Sequence, residues 1–207
     1  MMRPIIGELL EGDALYRRVV LERIVGAKES VWIATANVKA MMVERDGKFI
    51  PLVALLSTLA RRGVELRLLH ADLPSRPFRK FFDREQILVR GGLALKICPR
   101  VHFKCVLVDG AWLYFGSANL TGAGLGAKHK DGRNFELGMV SEDFDTIDRL
   151  TALFESVWSG IECKKCRLFR QCPDPIGPGP SKTRAPQHPR GAMLLGRARR
   201  MPRKMDE

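Results

Sequence analysis

The chain has 207 residues, of which 45% are hydrophobic and 28% are charged. This length suits one sizeable core and excludes two domains of ordinary size. No stretch is apolar and long enough to span a bilayer, which argues against an integral membrane protein. Lys and Arg number 35 against 23 Asp and Glu, a net charge of +12. Such an excess indicates a polyanionic partner, above all nucleic acid, although anionic lipid would also attract it.

Hydrophobic periodicity predicts helices and strands that alternate along the chain. Asp13 is expected to cap a helix whose apolar face carries Tyr16, Val19, Val20 and Ile24. Further strands are predicted at 31–36, 64–69, 93–97 and 135–140, and helices from Pro51 to Gly63 and at 78–86 and 144–158. This alternation favours a largely parallel sheet covered by helices on both faces.

Residues 102–119 form the most informative segment because they combine a predicted hairpin with a set of polar side chains. Successive side chains of a strand alternate between its faces, so His102 and Lys104 are expected to project together. Asp109-Gly110 is typical of a hairpin turn. The second strand ends at Gly116, and Ser117 and Asn119 follow on one side. Since only the lysine is permanently charged, the set favours an anion of phosphate size.

The segment reads His-x-Lys-x4-Asp-x6-Gly-Ser-x-Asn and resembles the HKD motif of the phospholipase D superfamily at every fixed position. Asn134-Phe-Glu136 is similar to the Asn-x-Glu that follows this motif. The resemblance implies an α/β/α sandwich with a mostly parallel, mixed sheet, and we assign it to residues 1–160. The catalytic residues that it implies are His102, Lys104, Asp109, Ser117, Asn119 and Glu136.

The chain carries one copy of the motif. Neither His70 nor His129 is followed by a lysine two residues later, so neither begins a second copy, and His129 is expected to lie exposed in a loop. Members of the superfamily with one motif work as homodimers that share one active site at the two-fold axis. A two-fold axis brings identical residues together, so two copies of His102 are expected to face each other.

The resemblance also implies a mechanism that needs no metal ion. One His102 would attack phosphorus to give a phosphohistidine, and the second His102 would protonate the leaving oxygen. Lys104, Ser117 and Asn119 would hold the phosphate oxygens, and Glu136 would bond the far ring nitrogen of a His102. Asp109 is the exception, because its place at the turn suits a structural role better than contact with phosphate.

Residues 161–175 contain the pattern Cys163-x2-Cys166-x5-Cys172. Three thiolates at this spacing favour a structural zinc ion, or an iron–sulfur cluster. Reduced structural thiols in a basic linker are the alternative. The fourth ligand stays open at this stage, with His188 and Cys98 as the candidates.

Residues 176–207 are rich in Pro, Gly and Arg and hold eight Lys and Arg against two Asp and Glu. This composition predicts a disordered basic tail that suits a nucleic-acid arm. The N-terminus lacks the apolar run of a signal peptide, so we expect a cytoplasmic protein.

The leading hypothesis is therefore a homodimeric, metal-independent nuclease, with DNA favoured over RNA as the substrate. An enzyme of the phospholipase D or phosphatidyl-transfer type that acts on phospholipid is the first alternative. The second is a nucleic-acid-binding accessory protein without catalytic turnover.

Overall fold

The computed structural model describes residues 4–125 and 127–179. Its strands are β1 (Glu8–Glu11), β2 (Ser30–Thr35), β3 (Met42–Arg45), β4 (Lys48–Pro51), β5 (Glu65–His70), β6 (Ala94–Ile97), β7 (Lys104–Val108), β8 (Trp112–Gly116) and β9 (Leu137–Ser141). Its helices are α1 (Asp13–Leu15), which continues as a π-helical stretch (Tyr16–Ile24), α2 (Leu52–Arg61), α3 (Arg76–Phe82) and α4 (Phe144–Trp158).

Seven strands form one mixed sheet in the order β1-β9-β8-β7-β2-β5-β6. The α/β/α class is confirmed, but the expectation of a mostly parallel sheet holds only for β2, β5 and β6. The other four pairings are antiparallel. The reason is local: the Asp109-Gly110 turn folds β7 and β8 into a hairpin, and the described residues between β8 and β9 form no α-helix. Parallel neighbours need such a crossover connection.

Apolar side chains cover both faces of the sheet and make it the middle of three layers. On one face, the π-helical stretch, α2 and α3 bury Val19, Leu55 and Phe78 against the strands. On the other face, α4 covers β2, β5, β7 and β8, and its Phe154 ring stacks on Trp32 with 5.4 Å between centroids. The strands are therefore fixed from both sides, which holds the ends of the central strands in place.

Most predicted elements are present, with three differences. Asp13 is the first residue of its helix rather than the cap, which is Gly12, and it pairs with Arg17 at 3.3 Å. Pro51 ends β4 in an extended conformation and precedes α2. The sequence patterns also missed β1 and the β3–β4 hairpin, because four-residue strands of mixed polarity carry little periodic signal.

The segment after α4 folds back onto the sheet. Gly160 has a φ of 79°, and a Cβ atom there would lie 2.5 Å from Cβ of Ile176, so only glycine fits this turn. Residues 161–165 and 169–171 form two 3₁₀ turns. The backbone N–H of Ile97 in β6 donates to the Asp174 carboxylate at 3.2 Å. The Cys-rich segment thus packs against the domain.

The predicted basic tail falls almost wholly on residues 180–207, which lie outside the described residues together with His188. Within the described ranges, no helix is long and apolar enough to cross a membrane.

Candidate active site

His102 and Lys104 lie where the chain enters β7, at one end of the central strands. His102 is exposed, whereas Lys104 is only 9% exposed. The Lys104 ammonium donates to the His102 carbonyl at 2.7 Å and lies 3.4 Å from Nδ1 of the same residue. No ion pair between described residues includes Lys104. A buried cation without a carboxylate partner favours an anionic guest, because the guest supplies the missing counter-charge.

Strand register brings the second half of the motif to the same end of the sheet. Gly116 pairs with Lys104 on one side and with Gly138 on the other. Beyond Gly116, the Ser117 hydroxyl donates to the Glu136 carboxylate and accepts from the Leu137 N–H at 3.1 Å. Glu136 therefore lies beside Ser117 through contacts between β8 and β9.

Glu136 has two side-chain partners in the described part of the chain. The first is Ser117, and the second is the Asn134 amide, which donates to it at 3.1 Å. The expected bond to His102 is not formed within one chain. A bond from Glu136 to the histidine of a second subunit stays a prediction.

Asn119 is held by the end of β2. Its side-chain oxygen accepts from the N–H groups of Ala36 at 3.2 Å and Asn37 at 3.1 Å, and lies 3.2 Å from the Thr35 hydroxyl. With the oxygen engaged in this way, the amide NH₂ is the group that remains to meet a ligand.

Thr35 is a positioning residue that the sequence patterns missed. It is 2% exposed, and its hydroxyl also accepts from the Leu120 N–H at 3.1 Å. Its signal in the sequence is a single polar residue at the end of the apolar run 31–34. Such a residue is common at strand ends, so the pattern alone does not mark it.

The motif glycine is required by close packing. A side chain on Gly116 would collide with the Leu137 carbonyl and lie 2.8 Å from the Tyr114 hydroxyl. Tyr114 is buried beneath the site, and its burial raises the pKa of the phenol. Only glycine lets β8 and β9 approach closely enough over this ring to bring Ser117 beside Glu136.

Asp109 does not lie with the other five motif residues. It sits at the opposite end of β7, where its carboxylate accepts the backbone N–H groups of Lys28, Glu29 and Ser30 at 2.8–3.1 Å. The catalytic assignment made from the motif is therefore wrong for Asp109, which ties the hairpin turn to the start of β2. The motif spacing does not reveal this separation. His102 and Asp109 are close in the sequence, but the extended strand β7 places them at opposite ends of the sheet.

The two other described histidines lie outside the site, and the predicted exposure of His129 is confirmed. His129 is exposed in a loop and lies 3.3 Å from the Asp131 carboxylate. His70 is buried at the end of β5 with Nδ1 2.7 Å from the Asp72 carbonyl, and burial lowers its pKa. Neither forms a second copy of the site.

Residues 20–158 match the family model described as "Cardiolipin synthase, PLD-like domain", which is more than half of the chain. The chain belongs to the phospholipase D-like family. At the level of the superfamily, this membership assigns it phosphodiester chemistry. A comparison with curated proteins finds no match.

Solved structures support the fold of this phospholipase D-like chain. NucT from Helicobacter pylori is similar with a TM-score of 0.55 and 15% identity over 74% of this chain and 95% of its own. Nuc from Salmonella typhimurium, a phospholipase D family member, has a TM-score of 0.51 and 17% identity over the same shares. The archaeal chromatin protein TrmBL2 has a TM-score of 0.51 and 14% identity, over 73% of this chain and 51% of its own.

Asp109→Ala should lower the free energy of unfolding by about 1–2 kcal/mol, since three N–H groups lose a charged acceptor. Burial alone would raise the pKa of Asp109, but the backbone donors outweigh it and the pKa is lowered. The ionised form is thus the stabilising one, and its contribution is present at neutral pH and lost as the pH falls below about 4. Urea titrations at neutral and acidic pH measure both effects.

Asp109→Asn is the matched control. Asn tolerates the positive φ of 53° at this position and keeps one acceptor oxygen. At neutral pH, Asp109→Asn should therefore lower the free energy of unfolding less than Asp109→Ala does. Equal stability of wild type and Asp109→Ala at neutral pH would contradict the structural role.

Proposed function

We propose that this protein is a metal-independent nuclease that cleaves nucleic-acid phosphodiester bonds at a site shared by two subunits. One observation carries the proposal. An exposed imidazole, a buried ammonium without a carboxylate partner in the described ranges, and fixed hydroxyl and amide groups lie at one end of four adjacent strands. This set supplies a nucleophile and donors for the oxygens of a phosphodiester.

The proposed reaction has two steps. In the first, an unprotonated ring nitrogen of His102 attacks phosphorus, the bond to the leaving oxygen breaks, and that oxygen takes a proton from the partner's His102. In the second, water attacks phosphorus and gives its proton to the partner's His102, while the phosphorus–nitrogen bond breaks. Lys104 and Asn119 stabilise the oxygens in both steps, and both histidines return to their starting states.

Charge distribution supports nucleic acid as the substrate. The net charge is +12, and an open groove along α3 is lined by Arg76, Lys80 and Arg84 together with Pro77 and Phe81. No acidic side chain of the described residues lines this groove. The start of α3 lies at the site end of the sheet, because the Ser75 N–H donates to the Val38 carbonyl just beyond β2 at 3.0 Å. A cationic groove beside the site suits a phosphate backbone.

DNA is favoured over RNA in this proposal. The structure of TrmBL2, which has a similar fold, shows a mode of DNA binding for that protein. We propose a cytoplasmic setting, which suits five cysteines that form no disulfide among the described residues.

An apolar strip supports the shared site. We define the strip as Leu9, Phe135 and Leu137, which are 67%, 107% and 56% exposed. Leu9 and Leu137 belong to the paired strands β1 and β9, on the sheet face that α4 covers elsewhere. Phe135 directly precedes Glu136, so the strip runs up to the site. Exposed apolar surface of this kind favours association, and a second copy of the chain would place its own His102 nearby.

Lipid is the second candidate substrate, because the description of the matching family model includes cardiolipin synthase. One assay separates the candidates. Single-stranded DNA, duplex DNA, RNA and anionic phospholipid vesicles are each incubated with the wild type and with His102→Asn. Turnover of vesicles alone would favour the lipid enzyme. Binding of nucleic acid without turnover of any substrate would favour the accessory protein.

His102→Ala should reduce cleavage by at least about three decades, since it removes both the nucleophile and the acid. The side chain is exposed, so the fold should survive, and circular dichroism checks this. His129→Ala, at another exposed histidine, is the matched control and should retain activity. Retention of more than a tenth of the activity by His102→Ala would refute the assignment.

Cleavage by the wild type should persist in EDTA, because Lys104 and the two histidines supply the charge and the proton transfers. Initial rates with and without chelator measure this. A collapse of the rate that added Mg²⁺ reverses would contradict the phosphohistidine mechanism.

Mixing wild type with a ninefold excess of His102→Asn subunits should lower the activity to about a tenth, because random pairing leaves few dimers with two histidines. Activity per wild-type subunit, measured after subunit exchange, tests this. Independent sites would leave the activity unchanged.

A substitution in the apolar strip tests the shared active site independently of His102. Leu9→Glu should weaken the dimer and the activity together, whereas Phe49→Glu, at a 62% exposed residue of β4, should change neither. Light scattering reports the oligomeric state, and full activity of a monomer would refute the shared site.

A further inference from the structure

Four of the five cysteines meet at one place in the fold. Cys98 follows β6, and Cys163, Cys166 and Cys172 belong to the segment that folds back after α4. All four line a single cavity of about 30 Å³. The fifth cysteine, Cys105, is buried in β7 away from this cavity.

Backbone contacts hold the two parts of this cluster together. Cys172 Sγ lies 3.9 Å from the carbonyl of Ile97, the residue before Cys98. The Ile97 N–H donates to Asp174, two residues after Cys172. Cys163 and Cys166 are joined by a 3₁₀ turn in which the Cys166 N–H donates to the Cys163 carbonyl at 3.1 Å. The turn sets two thiols on a tight knuckle, the usual arrangement of half a zinc site.

We propose that Cys98, Cys163, Cys166 and Cys172 together bind one structural Zn²⁺ ion. Four thiolates complete a closed tetrahedral site, which leaves no position for catalysis. The sequence pattern left the fourth ligand open between Cys98 and His188, and the fold favours Cys98 because it lies at the same cavity.

The surroundings fit a negatively charged tetrathiolate centre. Two bases, Lys96 and Arg100, and two acids, Glu162 and Asp174, line the cavity. Three further bases, Lys164, Lys165 and Arg167, flank the ligands in the sequence, so basic residues are in excess around the cluster. Leu69, Val157 and Phe169 supply apolar walls that would limit the access of water to a bound ion. Among the described residues, no three side chains stand at ligating distance from one point, so binding requires the thiols to turn inward.

A bound ion would fasten the segment to the sheet. Between Ile161 and Gln171 the segment has only two 3₁₀ turns among its described residues, and Ile161 is 70% exposed. So little regular structure and apolar burial gives weak stability on its own, and metal ligation commonly supplies the remainder in small Cys-rich segments. The ion would hold the segment against β6, which is an edge strand of the seven-stranded sheet.

The test is the metal content of the full chain, purified under reducing conditions without chelator. Elemental analysis should find about one zinc per chain in the wild type. Cys98→Ser should reduce the zinc to below about a tenth of that value, although it leaves all three clustered cysteines in place. Cys105→Ala, which removes the remaining cysteine, is the matched control and should keep the full zinc content.

X-ray absorption at the zinc edge of the wild-type protein tests the ligands without any substitution. Four sulfur neighbours at about 2.3 Å support the proposal. A nitrogen or oxygen neighbour, full zinc retention by Cys98→Ser, or no stoichiometric metal in the wild type would overturn it. Iron and sulfide in place of zinc would also overturn it. None of these readouts depends on cleavage. A failure of the proposed nuclease activity would therefore leave the result of this test unchanged.

Discussion

The buried ammonium of Lys104 is the constraint on which the rest of the site depends. Its only described partners are acceptors of His102, a carbonyl at 2.7 Å and a ring nitrogen at 3.4 Å. A carboxylate beside it would satisfy the charge and leave nothing for a phosphate to neutralise. The surrounding groups are arranged accordingly, since Glu136 bonds to Ser117 and Asn134 and forms no described ion pair with Lys104. The Lys104 charge is therefore left unpaired by any carboxylate among the described residues.

Neighbouring strands place further polar groups beside the Lys104 charge, and together they form a binding site. Lys104, Gly116 and Gly138 are paired neighbours on β7, β8 and β9, and Asn119 is tied back to the end of β2. Two helix layers hold these strands from both faces, so the polar groups at their ends have fixed positions. Fixed donors are effective because they need no reorganisation when charge develops on a phosphate.

Asp109 shows that a motif can join two separate tasks. Its five companions gather at one end of the sheet, while Asp109 ties down the other end through the backbone of 28–30. Both tasks fall within one sequence motif because a single strand, β7, runs between the two ends of the sheet. The same distinction applies to the cysteines, where residues 163–172 form a local pattern and Cys98 joins them only through the fold.

The sequence alone determined the family, the α/β/α class, the motif hairpin and α4, because these rest on local patterns of alternation, turn chemistry and helical periodicity. Tertiary structure decided the features that depend on which strands become neighbours. These are the excess of antiparallel pairs, the role of Thr35 behind Asn119, the removal of Asp109 from the site and the meeting of Cys98 with the distant cysteines. Such contacts join residues far apart in the chain, and no local pattern encodes a distance between them.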